Sequence, residues 1–481
     1  MTRKEPSNRF RYETVAATLT EQIEAGIYSS GERLPGVRKL AAQFAVSVST
    51  IVAAEQLLEN RGLLEAHPRS GYYVRRPVWQ PEICQTPSQP TGQPTPVTGQ
   101  ALVLRVVQAA NEPGIVALGA AVPHASFLPT HSLQRAFAGV PRRWAGQAFN
   151  YHFPPGPLAL RQQIARRMAD AGCQLLPEDI VITAGAQEAL ALCLRAVAEP
   201  GDVVAIESPT FYGLLQAIET QGLRALEIPT DPDEGISPQA LALALDEWPV
   251  AAALLMPNFG NPLGHCAGNA RKQALVSLLE ARGVPLIEDD VYGDLAFNGR
   301  RPWAAKAFAA HGGVLYCGSF SKTLSPGLRI GWTAPGRFRD RVAYLKYAAS
   351  AATPTWPGYA VSDFLERGGY DRYLRRARAD YAQAVDRVGR AVTRHFPAGT
   401  RQTRPQGGFV LWLELPAGVD ALTLYRQALA EGISIAPGPM FSPAQKFRPC
   451  LRLNCAQPWD TRLERALIRL GELVAALVKE I

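Results

Sequence analysis

Between Pro77 and Gln100 the chain reads PVWQPEICQTPSQPTGQPTPVTGQ, and a folded core does not run through such a stretch on its own. Proline removes backbone donors, and few large apolar side chains remain to offset the entropy of ordering. The segment 77–100 is expected to be an extended, flexible linker. It divides the 481 residues into a small N-terminal module, residues 8–76, and a body, residues 101–481. A chain of this length exceeds one ordinary core. With 47% apolar and 19% charged residues, most of it is expected to be globular.

Charge leaves the partner open. The net charge is +8, yet residues 1–76 carry only eleven Arg and Lys against eight Asp and Glu. That balance permits nucleic acid without requiring it. The seven cysteines are scattered, with no Cys-x-x-Cys pair and no paired histidines nearby, so neither a disulfide framework nor a zinc site is expected. Buried thiols in a reducing compartment fit better. The start, MTRKEPSNRFRYE, lacks the apolar run of a signal peptide, and no segment approaches a membrane span. The expectation is a soluble cytoplasmic protein.

In the N-terminal module, YETVAATLTEQIEAGIY places Val15, Leu19 and Ile23 at helical spacing and breaks at Gly26. Val37 to Phe44 can form a short helix, Ala45-Val46 a turn, and Ser47 can cap a second helix running to about Asn60. GLLEAHPRSGYYV then reads as two short strands around a Pro-Arg-Ser-Gly turn, with Arg69 at the tip. Two helices joined by a tight turn let the second present its N-terminal end to base edges. The ordered set of helix, G-x-R-L-P-x-x-R-x-L-A, helix and SGYYV hairpin resembles the winged helix-turn-helix domain of GntR-type regulators. The resemblance implies double-stranded DNA as a partner. Arg33 and Arg38 would contact backbone or bases, Ser47, Ser49 and Thr50 would start the recognition helix, and Arg69 would enter a groove or touch phosphate. The chain departs from that pattern at Gly36, where serine is frequent, and at Ser49, where a basic residue often stands.

The body alternates strand-like runs with helical stretches: DIVITAG, DVVAIES, AAALLMP, VPLIEDD and GVLYCGSF are each followed by turn residues. This implies an α/β fold with a mostly parallel sheet covered by helices, and ligands sit at the carboxyl ends of such strands. GVLYCGSF runs directly into SFSKTLSPGLRIGW. There Ser319, Ser321 and Arg329 surround Lys322 with two hydroxyls and a guanidinium, a set that suits a phosphate dianion. A Schiff-base lysine needs a pocket that lowers its pKa and a nearby aldehyde, and pyridoxal phosphate supplies the aldehyde together with its own phosphate.

Other pieces fall after strands in turn. LIEDDVYGDL offers Asp289 to keep a pyridine nitrogen protonated and Tyr292 to reach the ring's phenolic oxygen. NFGNPLG offers Asn261 as a second donor to that oxygen. ITAGAQEAL offers backbone N–H groups of Gly185, Ala186 and Gln187 at a helix start, and SPTFYG offers Phe211 for stacking. Each alone has an ordinary structural reading, such as a solvated strand end or a common turn. In this order the set resembles the fold-type I aminotransferases over residues 101–481, with a smaller C-terminal α+β part.

By that resemblance Lys322 carries the internal aldimine and Asp289 partners the pyridinium. Asn261 and Tyr292 hold the phenolic oxygen, while Ser319, Ser321 and Arg329 bind the phosphate. Tyr151 in NYHFPPGPLALR would reach the phosphate of a neighbouring subunit, and Arg452 in CLRLNCA would bind a substrate α-carboxylate.

A winged helix, a polar linker and such a body in this order resemble the MocR family of regulators. The resemblance implies a homodimeric transcription regulator whose DNA binding responds to pyridoxal phosphate or its aldimine with an amino compound. A catalytically active aminotransferase carrying a DNA-binding module stays open, because Lys322, Asp289 and Arg452 are all present. So does a DNA-binding protein whose body only dimerises.

Overall fold

The computed structural model describes residues 11–24, 27–28, 31–61, 63–67, 70–74, 82–84, 86–98 and 101–479. Arg69 and the expected boundary at residues 76 and 77 lie outside these residues. The chain divides into two compact units, Met1–Gln80 and Pro81–Ile481.

In the first unit, helix α1 (Arg11–Glu24) buries Val15 and Leu19, one turn apart, as their spacing requires. Helix α2 (Val37–Phe44) stops at Ala45, whose left-handed φ of +51° turns the chain. Ser47 then caps helix α3 (Val48–Asn60), its hydroxyl accepting from the Thr50 N–H at 3.2 Å. Leu40, Ile51, Leu58 and Leu64 close the core with Leu19. Strands β1 (Leu64–His67) and β2 (Gly71–Val74) pair antiparallel with Leu64 opposite Val74. Residues 31–34 run along β2 through an isolated antiparallel bridge of Arg33 with Tyr73: the Leu34 N–H donates to Tyr72 O and the Val74 N–H to Glu32 O, each at 2.9 Å.

Over residues 82–84 and 86–98, the flexible linker expected over 77–100 is corrected by the structure. Glu82 O accepts from the Gln402 N–H at 2.9 Å, and Ser88 Oγ accepts from the Thr230 N–H at 3.1 Å. Pro94 O accepts from Arg224 at 2.8 Å, and Thr95–Pro96 pairs antiparallel with the strand Arg224–Asp231. Cys84 and Val97 are buried. A segment too polar to fold alone still carries carbonyls, and a sheet edge with unpaired donors orders it.

All five strand-like runs form strands of one large sheet. Its order is Thr95–Pro96, Arg224–Asp231, Val203–Ser208, Val250–Leu255, Leu286–Asp289, Val314–Ser319, Gly331–Ala334 and Val181–Thr183. The five strands from Arg224–Asp231 to Val314–Ser319 run parallel, whereas Gly331–Ala334 is antiparallel to both its neighbours. Both faces are covered: Val204, Ile206 and Leu254 join one core cluster, while Val203, Ala205 and Leu255 join another. The C-terminal part holds a four-stranded antiparallel sheet of Arg401–Gln402, Val410–Glu414, Cys450–Asn454 and Ala436–Pro437. Helices Gly369–His395, Ala421–Ala430 and Thr461–Lys479 share its core. No single helix among the described residues is long and apolar enough to cross a membrane.

Candidate functional site

Neighbouring parallel strands end side by side in the body and bring Lys322 and Asp289 together. Asp289 closes Leu286–Asp289 and is registered against Cys317 of Val314–Ser319, which leads to Lys322. Asp289 is 1% exposed, and its Oδ1 has no hydrogen-bond partner among the described residues. Burial, reinforced by the charge of Asp290, pushes its carboxyl up to about 7. Lys322 Nζ donates to Ala121 O at 2.7 Å. Burial, with Arg452 and Arg329 adding repulsion against the pull of Asp289, lowers its amine to about 8. A neutral amine is thus available in the mildly alkaline range.

Asn261 and Tyr292 are both buried and hydrogen-bonded through their side chains. Burial pushes the Tyr292 phenol well up, so it stays a donor. Arg452, fully buried on Cys450–Asn454, donates to Asn261 Oδ1 at 3.2 Å and to Gly119 O. Its guanidinium lies 5.7 Å from the Tyr212 ring centroid and 5.4 Å from that of Phe441. Its Nε has no partner among the described residues.

A second cluster lies at the start of helix Ala186–Val197. Gly185 caps that helix with φ +87°, and a Cβ there would stand 2.5 Å from Arg329 Nη2. Arg329 Nη2 donates to Ala184 O at 2.7 Å. Ser319 Oγ and Ser321 Oγ are 2.8 Å apart, and the Ser321 N–H donates to Ser319 Oγ at 3.0 Å. The first N–H groups of the helix have no intrahelical partner, so a guanidinium, hydroxyls and a helix N-terminus converge in a pattern suited to phosphate. The Gln187 side chain is turned away and donates to Gly213 O at 2.8 Å. Half-buried Phe211 packs against both main clusters of the body, with its ring 4.5 Å from that of Tyr212. Tyr151 stands apart within one chain: it is 75% exposed and stacks on Phe153 at 5.5 Å.

The residues fit pyridoxal phosphate on chemical grounds. The orphaned Asp289 oxygen can accept a hydrogen bond from a pyridinium N–H, and the glycine cradle beside Arg329 leaves room that a Cβ would fill. Sequence reasoning missed the carbonyls of Gly119 and Ala121, which hold Arg452 and Lys322 from the segment GAAVPHASFLP, and the Tyr212 ring. Backbone acceptors leave no mark in side-chain identity.

In the first unit, Arg33 and Arg38 are exposed, Arg33 beside the hairpin and Arg38 on α2. Ser47 and Ser49 are exposed at the start of α3, and half-buried Thr50 is tied to Ser47, their hydroxyls 2.8 Å apart.

The model of class I and II aminotransferases matches residues 123–470, and that of the gntR family of bacterial regulatory proteins matches residues 11–74. The chain is 40% identical over 464 residues to the uncharacterized HTH-type transcriptional regulator YjiR of Escherichia coli (strain K12), covering 96% of this chain and 98% of the relative. It is 42% identical over 470 residues to the uncharacterized HTH-type transcriptional regulator YdcR of the same strain, covering 96% and 99%. The crystal structure of LysN, the α-aminoadipate aminotransferase of Thermus thermophilus complexed with N-(5'-phosphopyridoxyl)-L-leucine, superposes with a TM-score of 0.71 at 29% identity, covering 78% of this chain and 98% of LysN. With its gntR-type winged helix joined to a fold-type I body for pyridoxal phosphate, the chain belongs to the MocR family of regulators.

Proposed function

We propose that this chain is a transcription regulator whose hold on DNA changes when its body binds pyridoxal phosphate, or that cofactor joined to an amino compound. One observation carries the reading: a single chain pairs a capped helix-turn-helix with a body that keeps an unpaired buried carboxylate beside a lysine of lowered pKa. When bound, pyridoxal phosphate supplies an aldehyde for amines and a ring that draws electrons from them.

Lys322 offers its neutral amine to the cofactor, and Asp289 holds a proton at the ring nitrogen. Asn261 and Tyr292 donate to the phenolic oxygen, and Phe211 covers a ring face. Ser319, Ser321, Arg329 and the N–H groups of Gly185, Ala186 and Gln187 bind the phosphate. Arg452, with its Nε unpartnered, takes the carboxylate of an amino-acid effector.

A homodimer accounts for Tyr151. Phe149, Tyr151, Phe153, Tyr344 and Tyr347 are exposed aromatics, and Tyr151, Phe153 and Tyr347 touch in a chain of ring contacts. Such a patch marks an interface, and Tyr151 then serves the partner's phosphate. In the cytoplasm, Arg33, Arg38 and Arg69 hold operator DNA, and Ser47, Ser49 and Thr50 open the reading helix.

A second reading, a working aminotransferase carrying a DNA-binding module, is favoured by the Lys322 amine itself, which titrates at about 8 and can accept an α-proton. The test is a footprint of the full chain on DNA upstream of its own gene. It is taken with pyridoxal phosphate alone and with each amino acid that shifts the visible spectrum. Protection that changes with such an amino acid supports the regulator; steady turnover with an unchanged footprint supports the enzyme.

A further inference from the structure

Helix α3, Val48–Asn60, has the sequence VSTIVAAEQLLEN and carries no lysine or arginine. Its buried side is Ile51, Ala54, Glu55 and Leu58. At 3.6 residues per turn, Val48, Ser49, Val52 and Gln56 share the adjoining side within an arc of about 100°. All four are exposed, Val48 at 45% and Val52 at 37%. Two branched apolar side chains therefore face outward at the capped end of the helix. The core of this unit closes without them.

Direct readout in the major groove depends on side-chain type. Arginine and lysine take guanine through O6 and N7, glutamine takes adenine through N6 and N7, and apolar groups meet the thymine methyl. This face lacks the guanine readers and holds two groups suited to methyls, one suited to adenine and a versatile serine. Cations stand off α3: Arg33, Arg38 and Lys39 are exposed elsewhere in the unit and suited to phosphate.

Resting on the reading that this unit binds DNA, we infer that α3 recognises A·T pairs in each half-site through contacts of Val48 and Val52 with thymine methyl groups. Gln56, two turns further along, reads an adjacent adenine.

The test enriches a randomised duplex library on the full chain, with and without pyridoxal phosphate. Thymines at the enriched positions are then replaced one at a time by uracil, which removes only the methyl. The expected result is a half-site containing thymine and adenine, in which single uracil substitutions weaken binding roughly fourfold, the burial value of one such group. In Val52→Ala, an exposed position that leaves the core intact, sensitivity to one of those uracils disappears. An enriched site built on G·C pairs, or one indifferent to uracil, overturns the inference and leaves DNA binding standing. Absence of any enriched sequence overturns the DNA-binding reading itself, and the inference with it.

Discussion

The two working surfaces of this molecule differ in what they cost the fold when nothing is bound. The face of α3 and its flanking arginines is solvated, and the N-terminal core closes without it. The pocket around Lys322 is the reverse. It buries a carboxylate with an unpartnered oxygen, an arginine with an unpartnered Nε and a lysine whose charged form is disfavoured. Buried unpaired polar groups are destabilising by roughly 1–3 kcal/mol each, so these side chains weigh on the fold in a way that the solvated face does not. Substitutions on the first surface are expected to change binding and leave stability alone. In the second they change both, in opposite directions.

The largest expected effect is in Lys322→Ala, which loses the visible absorbance of bound cofactor completely while melting as a folded protein. An unchanged spectrum would remove Lys322 from the site. Next is Asp289→Asn, expected to weaken pyridoxal phosphate binding by about 10- to 100-fold, the range of one charge-assisted hydrogen bond. The same change should stabilise the cofactor-free chain. The Asp289 pKa is raised to about 7 from an ordinary 3.8, so the folded state holds its proton longer than the unfolded state does. Stability from that group is present below about 4 and is lost as pH rises through about 7. Thermal melts of the two cofactor-free proteins should therefore diverge between these values, with Asp289→Asn higher on the alkaline side. Equal melts would contradict the contrast between the two surfaces.

Cofactor capture should also depend on pH. Because the Lys322 amine becomes neutral above about 8, stopped-flow capture rates are expected to climb through that value, and a flat profile would argue against a buried amine. Arg452→Gln should weaken the spectral response to α-amino acids at least tenfold and leave cofactor affinity nearly intact, read by absorbance titration. The smallest effect belongs to the exposed face. Arg38→Gln should lower the slope of log affinity against log salt by about 0.9, one phosphate contact, with no change in melting temperature. A shift in melting there would mean that Arg38 serves the fold.

Much of this was legible because it is local. Ser47 caps α3 through a neighbour three residues on, and each strand-like run carries its own apolar pattern. What escaped depends on partners distant in sequence. Residues 82–84 and 86–97 contain too little apolar surface to order themselves, and partners far along the chain, the strand Arg224–Asp231, Trp248, Gln402 and Lys446, explain their place. Arg33 bridges to Tyr73 only because β2 lies beside it, and Gly331–Ala334 is a strand because Val314–Ser319 and Val181–Thr183 pair with its two sides. The pair Asp289-Asp290 shows the same limit within the site. Adjacent carboxylates look equivalent in sequence, yet Asp290 is held by Arg301, Asn258 and Tyr316, and Asp289 keeps an oxygen without a partner. Alternation along the chain sends the two side chains to different surroundings. It does not reveal which surroundings hold an arginine.

The central claim is that the buried pocket and the solvated face belong to one switch. Fluorescence anisotropy of a labelled duplex from upstream of the chain's own gene tests it most directly, titrated with cofactor-free and pyridoxal phosphate-loaded protein at one fixed salt concentration. The account predicts specific binding whose affinity differs between the two forms and shifts again with an amino acid that perturbs the visible spectrum. Superimposable isotherms under all three conditions would contradict it, leaving two independent activities on one chain.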